Sequence, residues 1–233
     1  MVWFREKAFV ILWAPMSCAL LTALLFRGRA GLWTIIRRFD PRHVRLHWWA
    51  VALLLPVGVH LLSLVLSGAF EERSVSATLM IWMAAFAMLF FLFAGEEVGW
   101  RGYALPALQA RFTPFRASVI LGLLWGVWHY PVWFGIGYGS SGAVSAGVIV
   151  VVLNAIGIIA LALVMTWLTN RTGGCILILM LYHGSNNSVL RAYGSAEGPA
   201  AFLASTAVII VIAAIVVTLD RETFFRKPLA ESH

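Results

Sequence analysis

The sequence predicts an all-α, polytopic helical membrane protein with about seven transmembrane helices around a polar intramembrane cavity. Composition is the first observation behind this prediction: 61% of the 233 residues are hydrophobic and 12% are charged, whereas an ordinary soluble domain has about 25% charged residues. The second is that the apolar residues form runs long enough to cross a bilayer. The third is that ionisable side chains recur within those runs, where they usually face a cavity or a partner.

Seven apolar segments are candidate spans. They are residues 8–26, 48–69, 75–94, 115–135, 143–169, 173–190 and 199–219. The connections between them are too short for a soluble domain. We therefore divide the chain into N-terminal transmembrane helices with a basic interfacial loop, a membrane core and a C-terminal tail, at residues 1–74, 75–219 and 220–233.

The basic residues predict the orientation of the chain. The net charge is +7, which in a soluble protein would suggest a nucleic-acid partner, but in a membrane protein basic loops mark the cytoplasmic side. When the spans alternate in direction, most of the 17 Lys and Arg residues fall on the side of loop 27–47. We therefore expect an integral, multi-pass protein of a bacterial cell membrane, with loop 27–47 and the C-terminus cytoplasmic, the N-terminus outside and no nucleic-acid partner.

Two carboxylates and a guanidinium follow the third span in the sequence EEVGWR. In a helix, Glu97 and Arg101 are four residues apart and share a face, so this spacing predicts an ion pair. Glu96 lies about 140° around the helix from Arg101, which leaves its carboxylate free to point elsewhere. One paired and one unpaired carboxylate are typical of divided roles in a site. The alternative is a solvated helix end.

His129 lies deep in the fourth span, in the sequence WGVWHYP. Trp125 is one turn earlier on the same face, and Pro131 cannot donate a backbone hydrogen bond, which loosens the helix near the histidine. His129 is therefore either functional or an interhelical hydrogen-bonding residue. The same span has GxxxG spacing at Gly122 and Gly126, which indicates close contact with another helix.

His183 and Asn187 form a third polar group, four residues apart on one face of the sixth span. An asparagine amide cannot act as an acid or a base, but it can stabilise an oxyanion or orient a water molecule. The alternative is a polar contact between helices. His60, in the second span, has no companion motif, and we assign it no functional role.

Taken in order, the patterns E-E-x-x-x-R, aromatic-x-x-x-H and H-x-x-x-N resemble the CAAX prenyl endopeptidase and bacteriocin-processing family (CPBP) of intramembrane proteases, also called the type II CAAX protease or ABI family. The resemblance covers about residues 75–219, which would make them the catalytic membrane core. One departure is Trp125, where the family more often has Phe. The resemblance implies a membrane endopeptidase whose site lies in a cavity among the helices.

The family's motifs, carried over position by position, imply a role for each residue. Glu96 is the implied general base, and His129 is its partner in activating water. His183 and Asn187 are the implied oxyanion stabilisers. The other motif residues are implied to give structural or electrostatic support: Glu97, Arg101 and Trp125.

Metal dependence stays open at this point. Two histidines and a carboxylate are the ligand set of many zinc hydrolases, so Glu96, His129 and His183 are the ligands if a metal is present. However, the sequence has no HExxH motif, and the resemblance implies a metal-independent attack by water that a glutamate activates. We therefore expect no cofactor, with zinc as the alternative.

The three motifs can meet only if the third helix is longer than its apolar run. If it ended at residue 94, Glu96 would lie at the cytoplasmic surface. His183 would lie roughly 15 Å deep in the sixth span, at about 1.5 Å per residue. We therefore predict one long helix from about residue 75 to residue 109, with Glu96 buried near mid-membrane.

Three functions follow from these patterns. The first is an intramembrane endopeptidase that acts in the lipid bilayer on a membrane-associated peptide or protein, with a prenylated protein the less favoured substrate. The second is a non-catalytic membrane scaffold or immunity protein of the same fold. The third is a proton-coupled transporter with a Glu/His relay; transporters often contain inverted repeats, and we find no repeat in the sequence.

Overall fold

Every secondary-structure element described in the computed structural model is helical, as the sequence predicts. The structure describes residues 2–69, 75–135, 147–192 and 199–226. The α-helices are α1 (Val2–Ile36), α2 (Leu46–Leu66), α3 (Val75–Leu92), α4 (Ala94–Glu97), α5 (Leu105–Gln109), α6 (Pro114–Gly135), α7 (Gly147–Arg171), α8 (Ile176–Ala192), α9 (Pro199–Leu219) and α10 (Arg221–Phe225). A 3₁₀-helix (Arg37–Phe39) follows α1, and a π-helix (Val98–Ala104) connects α4 to α5.

Four helices in the described part of the chain are long and apolar enough to cross a membrane. They are Trp13–Phe39, Leu46–Leu66, Val152–Arg171 and Ala200–Leu219. Helices suit this environment because all their backbone hydrogen bonds lie within the segment. The helices α3, α6 and α8 occupy three further predicted spans, but a total of seven spans stays a prediction. The start of predicted span 143–169 lies outside the described residues.

The predicted loop 27–47 is shorter than expected, because α1 continues past Arg27 and Arg29 to Ile36. Gly28 has a φ of +60°, so the helix kinks there and then resumes as far as Ile36. Glycine adopts a positive φ at little cost, since it has no Cβ. After the 3₁₀-helix, the connection to α2 is confined to residues 40–45. The orientation of this connection in the membrane stays a prediction.

The chain from residue 75 to residue 109 is helical apart from Phe93, but it is not the single regular helix that was predicted. Phe93 (φ −78°, ψ −4°) separates α3 from α4. In the π-helix, the N–H of Leu105 donates to the carbonyl of Trp100, five residues earlier. Pro106, which has no N–H, removes an α-helical hydrogen bond at this point. Wide turns of this kind occur frequently at functional sites.

The helix α8 packs against both α2 and α3, and it also contacts α4 and the π-helix. Gly184 allows this close approach, because a Cβ there would lie 3.3 Å from the Cα of Phe90 on α3. The helix α7 packs against α6 and α9. The third sequence motif, on α8, is therefore enclosed by helices from both the N-terminal part and the core.

The GxxxG prediction is confirmed at the contact between α6 and α7. A Cβ on Gly122 would lie 2.8 Å from the Cα of Ile159, and a Cβ on Gly126 would lie 3.9 Å from Cγ2 of Ile158. The close approach of the α6 and α7 backbones therefore requires glycine at position 122. At position 126 there is room for a methyl group.

These two glycines provide a matched test of helix packing. We expect Gly122→Ala to lower the thermal unfolding temperature, because overpacking against a backbone costs about 1–3 kcal/mol. Gly126→Ala should be neutral or slightly stabilising, since alanine favours helix by about 1 kcal/mol over glycine. The measurement is thermal unfolding in detergent micelles, followed by circular dichroism. Equal effects of the two substitutions would contradict the close approach at Gly122.

Asp220 ties the end of α9 to α7. Its Oδ2 accepts hydrogen bonds from Nε1 of Trp167 (2.9 Å) and Nε of Arg171 (2.5 Å), and its Oδ1 accepts one from Oγ1 of Thr223 (2.8 Å). Burial alone would raise the pKa of Asp220, but the hydrogen bonds from Arg171, Thr223 and Trp167 outweigh it and lower this pKa below its ordinary value of 3.8. The charged form is therefore the one that the fold stabilises.

The lowered pKa of Asp220 predicts a loss of stability in acid. A carboxyl group whose folded-state pKa is depressed stabilises the fold above its unfolded pKa, about 3.9 for Asp, and this contribution disappears as the pH falls through the folded pKa. We expect Asp220→Asn to lower the unfolding temperature at pH 7 and to have a smaller effect at pH 3. Glu222→Gln, at an exposed carboxyl, is the control. An effect of Asp220→Asn that is the same at both pH values would contradict the prediction.

Candidate active site

The acidic motif is buried inside the protein. Glu96 is 1% exposed, Glu97 is 0% exposed and Arg101 is 1% exposed. Their burial follows from the helical path through α4 and the π-helix, which carries the chain into the protein beside α1, α6 and α8. Gly99 permits the contact with α1, since a Cβ there would lie 2.5 Å from the carbonyl carbon of Pro15. The predicted burial of Glu96 is therefore confirmed.

The predicted ion pair between Glu97 and Arg101 is present, but it is part of a larger group. Nη1 of Arg101 donates to Oε1 of Glu97 at 3.0 Å. The same oxygen lies 2.6 Å from Nδ1 of His183 on α8. A carboxylate can only accept, so Nδ1 carries the proton and donates it. Glu97 therefore joins the first motif to the third, which the spacing along the sequence did not predict.

As predicted, Arg101 is paired with Glu97, and Glu96 is bound instead by Trp125 on α6. Nε1 of Trp125 donates to Oε2 of Glu96 at 2.9 Å. A phenylalanine side chain has no donor, so this hydrogen bond depends on the tryptophan. The guanidinium carbon of Arg101 lies 4.1 Å from the centre of the same indole ring, in a cation–π contact. Trp125 thus contacts both an acidic and a basic residue of the first motif.

Both predicted histidines lie beside Trp125. The indole ring centre is 5.3 Å from the ring centre of His129 and 5.6 Å from that of His183. Nδ1 of His129 lies 2.8 Å from the backbone carbonyl of Trp125, so Nδ1 is a donor and, in the neutral ring, Nε2 is the unprotonated nitrogen. Glu96 and His183 both lie within electrostatic range of His129. Trp125 is therefore the residue around which the three motifs meet.

Asn187 joins this group only through the backbone of α8. Its Nδ2 donates to the carbonyl of His183 at 3.2 Å, one turn earlier. Asn187 therefore lies on the same helix face as His183, as the spacing predicted. Among the described residues, its side chain has no hydrogen bond to Glu96 or Glu97.

Two residues that the sequence did not single out contact the site. Phe93 stacks on His183, with ring centres 4.0 Å apart and planes at 9°. His60, which was given no role, has its Nε2 3.1 Å from Oδ1 of Asn186, next to Asn187. No periodic signal could have found the second contact, because it joins residues 126 positions apart.

Several buried polar atoms around Arg101 have no hydrogen-bond partner among the described residues. They are Oε2 of Glu97, Nε and Nη2 of Arg101, and the hydroxyl of Tyr182. Buried polar groups are normally hydrogen-bonded, so these atoms give the site a capacity to bind water or polar groups of a ligand.

Metal dependence stays a prediction. Within the described residues, no three His, Cys, Asp or Glu side chains are grouped so that they could hold a metal ion. Of the three ligands named for the zinc alternative, His183 has its Nδ1 engaged by Glu97.

A cleft of about 340 Å³ lies outside this site. Its lining residues are Arg27, Ala107, Leu108, Ala110, Arg111 and Phe112. None of them belongs to the three motifs, so this cleft is not the predicted polar cavity, which stays a prediction.

Comparison with known proteins adds a second line of observation. Residues 75–189 match the family model described as type II CAAX prenyl endopeptidase, Rce1-like. This range begins at the predicted start of the membrane core and includes every predicted site residue. The chain is also similar to CAAX prenyl protease 2 of Methanococcus maripaludis, with 26% identity over 219 residues that cover 83% of this chain and 73% of the relative.

Proposed function

Because this chain belongs, through residues 75–189, to the Rce1-like family of type II CAAX prenyl endopeptidases, we propose that it is an intramembrane endopeptidase that hydrolyses a peptide bond of a membrane-associated protein or peptide. The observation that carries this proposal is the buried Glu96, bound by Trp125, with His129 and His183 in contact with the same indole ring.

Glu96 is the general base of the proposed reaction. Trp125 holds its Oε2, and Oε1 is the oxygen that we propose accepts a proton from water. His129, whose Nδ1 donates to a backbone carbonyl, is the proposed partner of Glu96 in activating this water. Trp125 acts as a positioning residue, because it fixes the direction of the carboxylate.

His183 and Asn187 are the oxyanion stabilisers of the proposed reaction. Oε1 of Glu97 lies 2.6 Å from Nδ1 of His183, and this contact orients the imidazole ring. In the proposed role, Nε2 of His183 and the amide of Asn187 donate hydrogen bonds to the developing negative charge.

The proton and bond changes balance without another reactant. Water adds to the carbonyl carbon of the scissile bond while Glu96 takes one of its protons. The tetrahedral intermediate carries its negative charge on the former carbonyl oxygen, beside His183 and Asn187. When the carbon–nitrogen bond breaks, Glu96 returns the proton to the leaving amine. The products are a carboxylic acid and an amine, and transfer of the remaining proton from the acid converts them to a carboxylate and an ammonium group.

We expect this hydrolysis to need no metal, since the described residues offer no grouped ligand set. The reconstituted protein should therefore keep its activity after treatment with a strong chelator of divalent metals and dialysis. Loss of activity that zinc restores would contradict the metal-free reaction and support the alternative ligand set of Glu96, His129 and His183.

The function is tested by reconstituting the full chain in liposomes with defined peptides. One peptide ends in a farnesylated CAAX sequence, as suggested by the name of the Methanococcus maripaludis relative. The second is the same peptide without the prenyl group, and the third is a transmembrane peptide. Cleavage of any of them by the wild-type chain, detected by mass spectrometry, supports an endopeptidase and identifies the substrate class. A chain that cleaves none of them while still performing its cellular role would support a non-catalytic scaffold or immunity protein.

A further inference from the structure

We propose that His60, on α2, is a positioning residue for the active site and that it acts through Asn186 on α8. This inference rests on the proposed peptidase function. The helix α2 (Leu46–Leu66) lies wholly outside the residues that match the family model. The N-terminal part of the chain would then contribute to the geometry of a site whose motifs all lie in the core.

The contact between the two helices is a direct hydrogen bond. Nε2 of His60 lies 3.1 Å from Oδ1 of Asn186, and both side chains are partly buried. An amide oxygen only accepts, so Nε2 of His60 carries the proton and donates it. Polar side chains that bind across transmembrane helices stabilise one helix arrangement over others.

A second hydrogen bond fixes the same two helices. Ser185 immediately precedes Asn186, and its Oγ donates to the backbone carbonyl of Leu53 on α2 at 2.7 Å. The contacts on α2 are thus two turns apart, whereas those on α8 are consecutive residues. The two anchors lie at nearly the same height on α8 but about 100° apart around its axis, so together they restrict the rotation of α8 and its movement along α2.

The position of Asn186 relates this anchor to the chemistry. At 100° per residue, Asn186 lies about 60° around α8 from His183, and Asn187 lies about 40° from His183 in the other direction. The helix α8 is therefore held by Glu97 at His183 and by His60 one turn later. Loss of the second anchor would let Nε2 of His183 and the amide of Asn187 move relative to the scissile carbonyl.

The expected effect is on turnover rather than on substrate binding. We expect His60→Leu to lower kcat by about tenfold or more, because small displacements of catalytic groups have effects of this size, with little change in KM. His60→Gln should recover most of the rate, since its amide can donate to Oδ1 of Asn186. His47→Leu, at an exposed histidine of the same helix, is the matched control. All variants are measured in liposomes with the peptide that the wild-type chain cleaves.

A double-mutant cycle tests whether His60 acts through Asn186. If it does, the variant with both His60→Leu and Asn186→Leu should be no slower than the slower single variant. Full multiplication of the two rate losses, an unchanged kcat for His60→Leu, or failure of His60→Gln to restore the rate would each overturn the inference. In each of those outcomes the wild-type chain still cleaves its substrate, so the proposed function would stand. If the wild-type chain cleaved no substrate, the proposed function itself would be overturned.

Discussion

Replacing Glu96 by Gln is expected to lower kcat for peptide cleavage by about 10²–10⁴-fold, the range typical of a general base. The amide has nearly the same shape as the carboxylate, and its oxygen can still accept the hydrogen bond from Nε1 of Trp125. It cannot take a proton from water, so the loss should fall on kcat rather than on KM. The measurement is steady-state cleavage in liposomes, with circular dichroism to verify folding.

Glu222→Gln is the matched control for this substitution. Glu222→Gln makes the same change from acid to amide at a side chain that is 76% exposed and forms an ion pair with Arg226. Its cleavage rate should equal that of the wild-type chain. If Glu96→Gln retained full activity, the proposed mechanism would be wrong. If Glu96→Gln lost cleavage but kept the cellular role, the chain would act as a scaffold in that role.

Breaking the Glu97–Arg101 pair is expected to have the largest effect on stability. Glu97→Leu would leave the buried guanidinium of Arg101 without its carboxylate, and the loss of one partner from a buried ion pair costs about 3–5 kcal/mol. It would also remove the acceptor that binds Nδ1 of His183, so cleavage should be lost as well. The measurement is the thermal unfolding temperature in detergent micelles, followed by circular dichroism.

The reverse test removes both charges. The variant with Glu97→Leu and Arg101→Leu should recover much of the lost stability, because apolar side chains often replace a buried ion pair at little cost. It should not recover activity, since His183 still lacks its partner. A double variant as unstable as Glu97→Leu alone would contradict this explanation.

The pair Glu222–Arg226 is a control with the same spacing. These residues are also four positions apart, with Nη2 of Arg226 3.1 Å from Oε1 of Glu222, but both side chains are more than three-quarters exposed. Exposed pairs of this kind contribute about 0.3–0.5 kcal/mol. Glu222→Leu should therefore shift the unfolding temperature far less than Glu97→Leu.

The sequence predicted the parts of the site that depend on relations within one helix. The pair of Glu97 and Arg101 follows from a spacing of four residues, and so does the shared face of His183 and Asn187. The burial of Glu96 could also be predicted, because the depths of the three motifs had to match. These relations depend on 3.6 residues per turn and 1.5 Å per residue, which hold before any tertiary packing is known.

The backbone differs from the prediction at single residues whose conformation leaves no periodic pattern in the sequence. A kink at Gly28, which has a positive φ, is followed by a further helical stretch through part of a predicted loop. Phe93 and the π-helix interrupt a predicted regular helix. Apolar periodicity locates helical segments, but it does not report the conformation of one residue within them.

By itself, the sequence determined the all-helical membrane class, the set of polar residues and the pairing within each motif, because composition and helix periodicity are properties of the chain alone. Only the tertiary structure decided which helices share a hydrogen bond: Glu97 with His183, Trp125 with Glu96, and His60 with Asn186. Each of these contacts depends on how two helices are rotated about their axes and how closely they approach. That rotation is fixed by packing over the whole interface, including small residues such as Gly99 and Gly184, and no spacing in the sequence specifies it.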